Sequence, residues 1–287
     1  MADATGLGLK IANWAWDKKD TLIRLAKVNK WFQERVGKDI LVVGAGGAGK
    51  STLGRILAGQ YDLLLDTPES YRESIEIEKL QARDKHPTRD QKKEGKATAE
   101  LVILPGQEHR RASTWTDELR ELEEGKYRGL ILVSAFGYHS LGQSYKLDNL
   151  YDEENEDAFL PAYVASKRSA EVAVLKAVAP HLENNRHPMW VLSVVTKADL
   201  WWPENIEARR FYREGEYGVE MARLLGRKDP KQFRHEIVYP ALTINNFRTH
   251  EGELLRKNTE GYDDRMKVRS LRELYETMEA LMNWELR

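Results

Sequence analysis

Apolar runs of strand length alternate with stretches of helical periodicity along most of the chain. The first run, Ile40–Val43, is apolar at every position, as in a strand buried on both faces, and Leu53, Ile56 and Leu57 then recur at helical spacing. The runs are Ile40–Val43, Ser74–Leu80, Ala99–Leu104, Gly129–Ala135, Met189–Val195 and Glu236–Thr243. Their alternation with helical patterns predicts an α/β fold with a mostly parallel central sheet and helices on both faces.

One connection breaks this alternation. The stretch 81–98, between Ser74–Leu80 and Ala99–Leu104, is polar and shows no apolar periodicity. Strands joined without a crossover helix pair in opposite directions, so we expect a hairpin with a long solvated loop. The sheet should therefore carry one antiparallel strand at its edge.

The residues before the first strand form a pattern of their own. Leu22, Leu25 and Phe32 recur at about helical spacing. We expect residues 1–37 to be an N-terminal helical extension and residues 38–287 to form one domain. The extension is predicted to pack on that domain; a helix that binds a partner or lies on a membrane surface is the alternative. The mixed charge of its outer face argues against contact with lipid.

The composition bounds the classes of function. The chain has 45 Lys and Arg against 46 Asp and Glu, a net charge of −1, which implies no general affinity for nucleic acid. Cysteine is absent, which excludes disulfides and thiolate metal sites and fits a reducing compartment. No apolar run approaches the roughly 18 residues that span a membrane, and the first residues lack the pattern of a signal peptide. We expect a soluble cytoplasmic protein.

A glycine-rich segment joins the first strand to the first helix. Its sequence GAGGAGKS, residues 44–51, fits the phosphate-binding pattern G-x4-G-K-[ST]. Such glycines let backbone N–H groups turn inward around phosphate oxygens, and the helix N-terminus adds partial positive charge. Lys50 would reach the β- and γ-phosphates, and the hydroxyl of Ser51 would bind Mg²⁺. The residues predicted to cradle the nucleotide are Gly44, Ala45, Gly46, Gly47, Ala48, Gly49, Lys50, Ser51 and Thr52.

The nucleotide base is predicted from the end of the fifth run. Met189–Val195 is followed by Thr196-Lys197-Ala198-Asp199, and here the chain resembles the P-loop GTPases of the Ras-like and translation-factor class, whose base-recognition motif is [NT]-K-x-D. One carboxylate accepts both N–H donors of guanine, whereas adenine offers no matching pair. The resemblance gives this role to Asp199, lays the stem of Lys197 along the purine, and has Thr196 tie its loop to the phosphate loop. GTP or GDP is the expected ligand.

A third motif of the same family is incomplete in this chain. The segment ILPGQ, residues 103–107, resembles D-x-x-G-Q, the start of the second switch in these GTPases. The resemblance implies that the N–H of Gly106 meets the γ-phosphate and that Gln107 orients the attacking water. The family aspartate, which holds Mg²⁺ through its water shell, is replaced by Ile103, and Glu100 lies about 10 Å further back at strand rise. Binding is therefore expected to survive better than catalysis.

The resemblance also points to two further loops. The first switch should offer a hydroxyl to Mg²⁺, and Thr67 is our choice over Ser70, with Asp66 as a stand-in for the missing carboxylate. Ser51 and Thr67 are thus the predicted magnesium ligands, completed by phosphate oxygens and waters. The last loop of the guanine pocket falls at 243–245, where backbone N–H groups would serve the guanine oxygen.

Together these motifs predict a guanine-nucleotide-binding protein that hydrolyses GTP slowly and acts as a molecular switch, with Lys50 and Gln107 as its catalytic residues. A protein effector or activator is implied, and the stabilisation lost with the aspartate would come from such a partner, a homodimer or another acidic group. One alternative is a pseudo-GTPase that binds GTP without turnover, which Ile103 favours and Gln107 disfavours. The other is a P-loop ATPase or kinase, which leaves the motif at Thr196 to Asp199 unexplained.

Overall fold

The computed structural model describes residues 39–60, 76–81, 100–107, 114–142, 146, 149–152, 154–258 and 261–284. The strands in this part are β1 Asp39–Gly44, β2 Glu78–Gln81, β3 Glu100–Ile103, β4 Tyr127–Ser134, β5 Met189–Val195, β6 Phe233–Val238, β7 Phe247–Arg248 and β8 Leu254–Arg256. The helices in this part are α1 Lys50–Leu57, α2 Thr116–Glu123, α3 Glu156–Asn184, α4 Ala198–Trp201, α5 Asn205–Arg213, α6 Glu216–Leu225 and α7 Asp264–Trp284, with a 3₁₀ turn at Trp202–Glu204.

Six of the strands form one sheet, in the order β2-β3-β1-β4-β5-β6. β1 pairs in parallel with β3 and β4, and β5 pairs in parallel with β4 and β6. β2 lies at the edge and runs antiparallel to β3. The predicted mostly parallel sheet with an antiparallel edge strand is therefore confirmed. β7 and β8 form a separate hairpin that the apolar pattern did not predict, because two- and three-residue strands are too short to show a period.

Helices cover both faces of the sheet, as the alternation predicted. On one face, α1 and α7 pack through an apolar cluster that includes Leu53 and Leu274. On the other face, α2, α3 and α6 pack through a second cluster that includes Leu175 and Leu224. Successive residues of β1 enter the two clusters alternately, which is why the whole strand is apolar.

The largest differences between predicted and observed strands are in β2 and β6. β2 begins at Glu78 within the described residues, and residues 74 and 75 lie outside them. β6 covers Phe233–Val238, so the prediction of a strand at 236–243 was wrong at both ends. Its interior positions are only half-buried, which hides the start, and Pro240 has no N–H to donate to a sheet, which ends it.

Some predicted features lie outside the described residues. They are the helical extension 1–37 and the first-switch candidates Asp66, Thr67 and Ser70. These features remain predictions, as does the division of the chain at residue 38. Among the helices that the structure describes, none combines the length and the apolar character needed to cross a membrane.

Candidate functional site

The loops that follow four neighbouring parallel strands meet at one edge of the sheet. They are 45–49 after β1, 104–107 after β3, 135–142 after β4 and 196–197 after β5. Ligands of open α/β sheets bind at this carboxyl edge. Of the predicted site residues, Thr67 lies outside the described part of the chain, and the others lie at this edge. Gly44 ends β1, and the loop after it consists of Ala45, Gly46, Gly47, Ala48 and Gly49; Lys50, Ser51 and Thr52 begin α1, Gly106 and Gln107 follow β3, and Thr196, Lys197 and Asp199 follow β5.

The glycine-rich loop is held by contacts to its carbonyl groups. The carbonyl of Gly47 accepts hydrogen bonds from Ser140 N at 3.1 Å and Lys197 Nζ at 3.0 Å, and that of Ala48 accepts one from Thr196 Oγ1 at 2.7 Å. In a planar trans peptide the N–H points away from the C=O. The N–H groups that follow these two carbonyls therefore face the opposite side of the loop, where they form a concave set of donors suited to an anion.

Only glycine fits at position 47 of this loop. Gly47 has a φ of 74°, and a Cβ built on it would lie 2.6 Å from the backbone nitrogen of Ser140. A side chain would both strain the backbone and push away the loop after β4. The glycine-rich sequence thus serves a close approach of two loops as well as a turn.

The start of α1 presents positive potential to the same concavity. Gly49, the residue before α1, has a left-handed backbone and no side chain to cap the helix, and the first turn contains no acidic residue. Helix N-termini usually carry such caps and acids, so their absence leaves N–H groups and the helix dipole available to an anion. Ser51 lies half-buried in this first turn.

Lys50 and Gly106 close the phosphate end of the site. Lys50 is buried and donates from Nζ to the carbonyl of Ala45 at 3.0 Å. A Cβ on Gly106 would lie 2.4 Å from that ammonium, so the glycine allows the segment after β3 to touch the loop. The N–H of Gly46 donates to Gly106 O at 3.0 Å. This N–H therefore belongs to the contact between the two segments. The prediction that it faces the phosphates was wrong.

Gln107 follows Gly106 at this contact. Its Cγ lies 3.9 Å from a Cβ built on Gly46, so its side chain passes close to the glycine-rich loop. The sequence prediction placed Gln107 beside the reacting phosphate, and the structure brings it to that end of the site.

Ile103 is a packing residue. It is 0% exposed and belongs to the apolar cluster between the sheet and α1. Its Cδ1 lies 2.3 Å from a Cβ built on Gly54, so the isoleucine fills the space that this helical glycine leaves. Glu100 lies at the other end of β3, where it is 3.8 Å from Lys79. As the sequence indicated, Glu100 does not replace the missing aspartate.

The described residues fit a magnesium ion that arrives with the nucleotide. They contain no group of three or more His, Cys, Asp or Glu side chains that could hold a metal ion alone. Mg²⁺ is often bound through one or two protein oxygens, substrate phosphates and waters. In the described part Ser51 is the residue that would hold it; the second predicted ligand, Thr67, lies outside that part.

The segment after β5 connects the predicted base-recognition motif to the glycine-rich loop. Thr196 and Lys197 make the two side-chain bonds to Ala48 O and Gly47 O described above. Trp201, fully buried in α4, donates from Nε1 to Thr196 O at 2.8 Å and so fixes this segment from the core side. The expected tie between Thr196 and the phosphate loop is present in the structure.

Asp199 is a buried carboxylate at the start of α4. It is 2% exposed, and its Oδ2 accepts a hydrogen bond from Asn245 N at 3.0 Å. The sequence prediction gave the N–H groups of 243–245 to the guanine oxygen, but that of Asn245 serves the carboxylate instead. A buried carboxylate needs such a donor, because an unpaired buried charge is costly.

Burial changes the acidity of both charged residues of this motif. It raises the pKa of Asp199 to about 6, although the N–H of Asn245 and the charge of Lys197 oppose the change. It lowers the pKa of Lys197 to about 8, against the opposing effect of Asp199 and Glu171. Near neutral pH both groups are therefore mainly ionised, as acceptance of two guanine donors by Asp199 requires.

We expect the affinity for GDP to fall about tenfold between neutral pH and about pH 5. Below its pKa of about 6, Asp199 of the free protein takes up a proton that must leave before guanine binds. Titration with a fluorescent GDP analogue at several pH values measures this fall, and ¹³C NMR of the free protein gives the midpoint of the Asp199 titration. A fall that does not follow that midpoint would contradict this role.

Sequence reasoning missed the loop after β4. Tyr138 O and Ser140 Oγ accept hydrogen bonds from Lys197 Nζ at 2.7 Å and 3.0 Å, and a buried glutamate, Glu171, holds the start of the loop. Two signals were available: polar residues at the end of a buried strand, and an acidic residue on the apolar face of a helix. Neither signal identifies the residue that is contacted, because the contacting residues lie far apart in sequence.

Comparisons with known proteins yield distant structural likenesses. No protein-family model matches the chain, and no curated protein matches it. Among solved structures, the chain is similar to the ADP-ribosylation-factor-like GTP-binding protein SAR1, a small COPII coat GTPase, from Encephalitozoon cuniculi in complex with GDP. The identity is 15% and the TM-score 0.40, over 98% of this chain and 95% of that one.

The chain is also similar to the signal recognition particle receptor SRb of Chaetomium thermophilum. For SRb with GDP the identity is 15% and the TM-score 0.36, over 85% of this chain and 99% of that one. For SRb with GTP in its complex with SRX the values are 15% and 0.38, over 74% and 96%. Likenesses this low carry no functional argument. The chain's own sheet, with the glycine-rich loop between β1 and α1, has the fold that the resemblance to P-loop GTPases predicted.

Proposed function

We propose that this protein binds GTP and GDP with Mg²⁺ and hydrolyses GTP slowly as a molecular switch. The observation that carries the proposal is the pair of hydrogen bonds from Thr196 and Lys197 to the carbonyls of Ala48 and Gly47. These bonds join a buried carboxylate suited to guanine to a set of N–H groups suited to phosphate. A ligand with both a guanine and a phosphate chain matches the two halves at once.

The chain's own residues supply most of what hydrolysis of GTP needs. Lys50, already buried beside the loop, would neutralise the β- and γ-phosphates, and the loop N–H groups would bind the phosphate oxygens. Gln107 would orient the attacking water. A bound Mg²⁺ would add positive charge at the β- and γ-phosphates. We further propose a cytoplasmic location, and a protein effector or activator that responds to the state of the two switches.

The test is a titration of the purified protein with GTP, GDP and ATP in the presence of Mg²⁺, together with phosphate release measured over hours. We expect guanine nucleotides to bind at least tenfold more tightly than ATP, with slow release of phosphate from GTP. Equal affinity for ATP and GTP would exclude the guanine assignment and favour an ATPase or kinase. If GTP binds but no phosphate is released, the protein is a pseudo-GTPase.

Replacement of Lys50 by alanine is expected to weaken GTP binding by about 10- to 100-fold. The ammonium lies directly against the glycine-rich loop, where it donates to Ala45 O at 3.0 Å. The matched control is Lys79→Ala, because Lys79 is half-exposed on the edge strand. Fluorescence titration of both variants measures the effect, with melting temperatures to confirm folding. A Lys50→Ala variant that binds GTP as tightly as the parent would exclude a phosphate-binding role.

The alternative of a binding module that does not hydrolyse GTP rests on Ile103. Its side chain lies within apolar packing, so the described residues provide no carboxylate at the family position. A homodimer or an activating partner would then have to supply the missing stabilisation before turnover occurs. The two functions predict different responses to substitution at this position.

A further inference from the structure

A buried glutamate holds the beginning of the loop after β4. Glu171 lies in the middle of α3, and its side chain is 0% exposed. Its Oε1 accepts hydrogen bonds from Ala135 N at 2.8 Å, Gly137 N at 3.1 Å and His139 Nε2 at 2.7 Å. Its Oε2 accepts one from the hydroxyl of Tyr212 at 2.5 Å. The carboxylate is thus satisfied by donors from two separate segments of the chain, the loop after β4 and the helix α5.

Stability alone does not explain this arrangement. Burial lowers the pKa of His139, although Glu171 opposes the change, so the imidazole is neutral near neutral pH. The four direct partners of the carboxylate are therefore uncharged donors. A buried carboxylate loses its hydration, and apolar residues of similar size often stabilise such sites as well or better. A buried carboxylate of this kind is better explained if the loop that it holds has a functional role.

The held loop supports both halves of the nucleotide site. It makes an unusual turn, with φ of 50° at Phe136 and 84° at Gly137, and the two N–H groups that bind Glu171 flank Phe136. Immediately after the turn, Tyr138 O and Ser140 Oγ accept from Lys197 Nζ, and Ser140 N donates to Gly47 O. These contacts come directly after the turn, so the conformation at 135–139 helps to set their positions, together with Tyr163, whose hydroxyl donates to His139 O at 3.1 Å.

We propose that Glu171 is a positioning residue for nucleotide binding: through residues 135–140 it fixes the orientation of the Gly47 peptide and of the Lys197 ammonium. It touches neither nucleotide nor metal. Without Glu171 the turn relaxes and the carbonyl of Gly47 loses its hydrogen bond from Ser140. The concave set of N–H donors in the glycine-rich loop then loses its common direction. The proposal rests on the proposed function, since it assigns the site's support and not its ligand.

Two substitutions separate the acceptor role of Glu171 from its shape. Glu171→Met keeps an unbranched side chain of similar length but accepts no hydrogen bond, which leaves the N–H groups of Ala135 and Gly137 without their partner. We expect GDP to bind about 30-fold more weakly to it. Glu171→Gln keeps one oxygen acceptor, and we expect a loss of only about threefold.

The matched control is Leu182→Ala, in the same helix. Leu182 is fully buried and lies eleven residues further along α3, about 16 Å from Glu171 at helical rise. It destabilises the same helix without removing an acceptor from the loop. We expect it to lower the melting temperature while GDP affinity stays within about twofold of the parent.

The experiment compares GDP titrations of the parent, Glu171→Met, Glu171→Gln and Leu182→Ala, together with amide hydrogen exchange of the ligand-free proteins. We expect the exchange of the Ser140 and Gly137 amides to accelerate in Glu171→Met and not in Leu182→Ala. The proposal is overturned if folded Glu171→Met keeps the affinity of the parent, or if Leu182→Ala loses as much affinity as Glu171→Met.

Two further outcomes remain distinguishable. If Glu171→Met does not fold, Glu171→Gln decides: weaker GDP binding with faster exchange at Ser140 supports the proposal, and parental values of both overturn it. If the parent binds no guanine nucleotide, the proposed function fails. The exchange data then still decide whether Glu171 holds the loop against Gly47.

Discussion

Replacement of Ile103 by aspartate is expected to lower the free energy of unfolding by about 4 kcal/mol or more and to create no magnesium ligand. The isoleucine is 0% exposed and packs against Gly54 of α1. Aspartate would leave the space beside Gly54 partly empty and would place a carboxylate in an apolar cluster. Urea unfolding with and without GTP and Mg²⁺ measures the change.

The matched control is Ile103→Asn, which has the shape of aspartate without its charge. If position 103 is purely a packing position, Mg²⁺ and GTP stabilise the Asp and Asn variants equally. The contrary outcome is tighter Mg²⁺ binding and faster phosphate release in Ile103→Asp alone, with the gain removed by Gln107→Ala. That result would identify an enzyme whose metal site had been weakened by the isoleucine. If neither the parent nor any variant releases phosphate while GTP is bound, the protein is a binding module.

Replacement of Asp199 by asparagine is expected to shift the preference from guanine toward xanthine by about 10²- to 10⁴-fold. Both guanine donors need the carboxylate as acceptor, whereas the amide of asparagine can donate to the second carbonyl of xanthine. Competition of GDP and xanthosine diphosphate for the parent and the variant measures the shift. An unchanged ratio would mean that Asp199 does not contact the base.

The same substitution is expected to stabilise the ligand-free protein by about 1–3 kcal/mol near neutral pH. The pKa of Asp199 is raised in the folded protein, from 3.8 to about 6, so the folded state prefers the protonated form. The stability that protonated Asp199 contributes is fully present below about pH 4 and is lost as the pH rises through 6. The gain from Asp199→Asn should therefore grow between these pH values and stay constant above them.

The control for this gain is Asp117→Asn, because the Asp117 side chain is 81% exposed. Thermal unfolding of the ligand-free proteins at several pH values measures both variants. A gain in Asp199→Asn that does not depend on pH would contradict a cost from the buried charge. A similar gain in Asp117→Asn would point to the net charge of the protein as its cause.

The sequence predicted best those elements whose cause is local. The bounds of β5 agree with the apolar run Met189–Val195, because the strand is buried on both faces and ends where Thr196 turns toward the glycine-rich loop. The glycine-rich loop was predicted for a similar reason, since its backbone conformation is determined by adjacent residues. β6 was misplaced because an edge strand with half-buried positions shows no continuous apolar run.

Contacts between distant residues could not be predicted from the pattern. Glu171 meets Ala135 and Gly137 across more than thirty residues, and an acidic residue among apolar helix positions does not reveal what it binds. The fate of the Gly46 N–H was missed for a related reason. Its partner, Gly106 O, comes from a segment that the sequence assigned to the γ-phosphate.

The hydrogen bond from Lys197 to Gly47 couples the base end of the site to its phosphate end, so that binding at either end changes the affinity of the other. Whatever orders Lys197 at the base end also orders the Gly47 peptide at the phosphate end, and the same coupling free energy acts in the opposite direction. A nucleoside and a phosphate chain would thus each favour the binding of the other even without a bond between them. A partner protein that displaced either loop would loosen both ends together, and so could release a whole nucleotide by touching only half of its site.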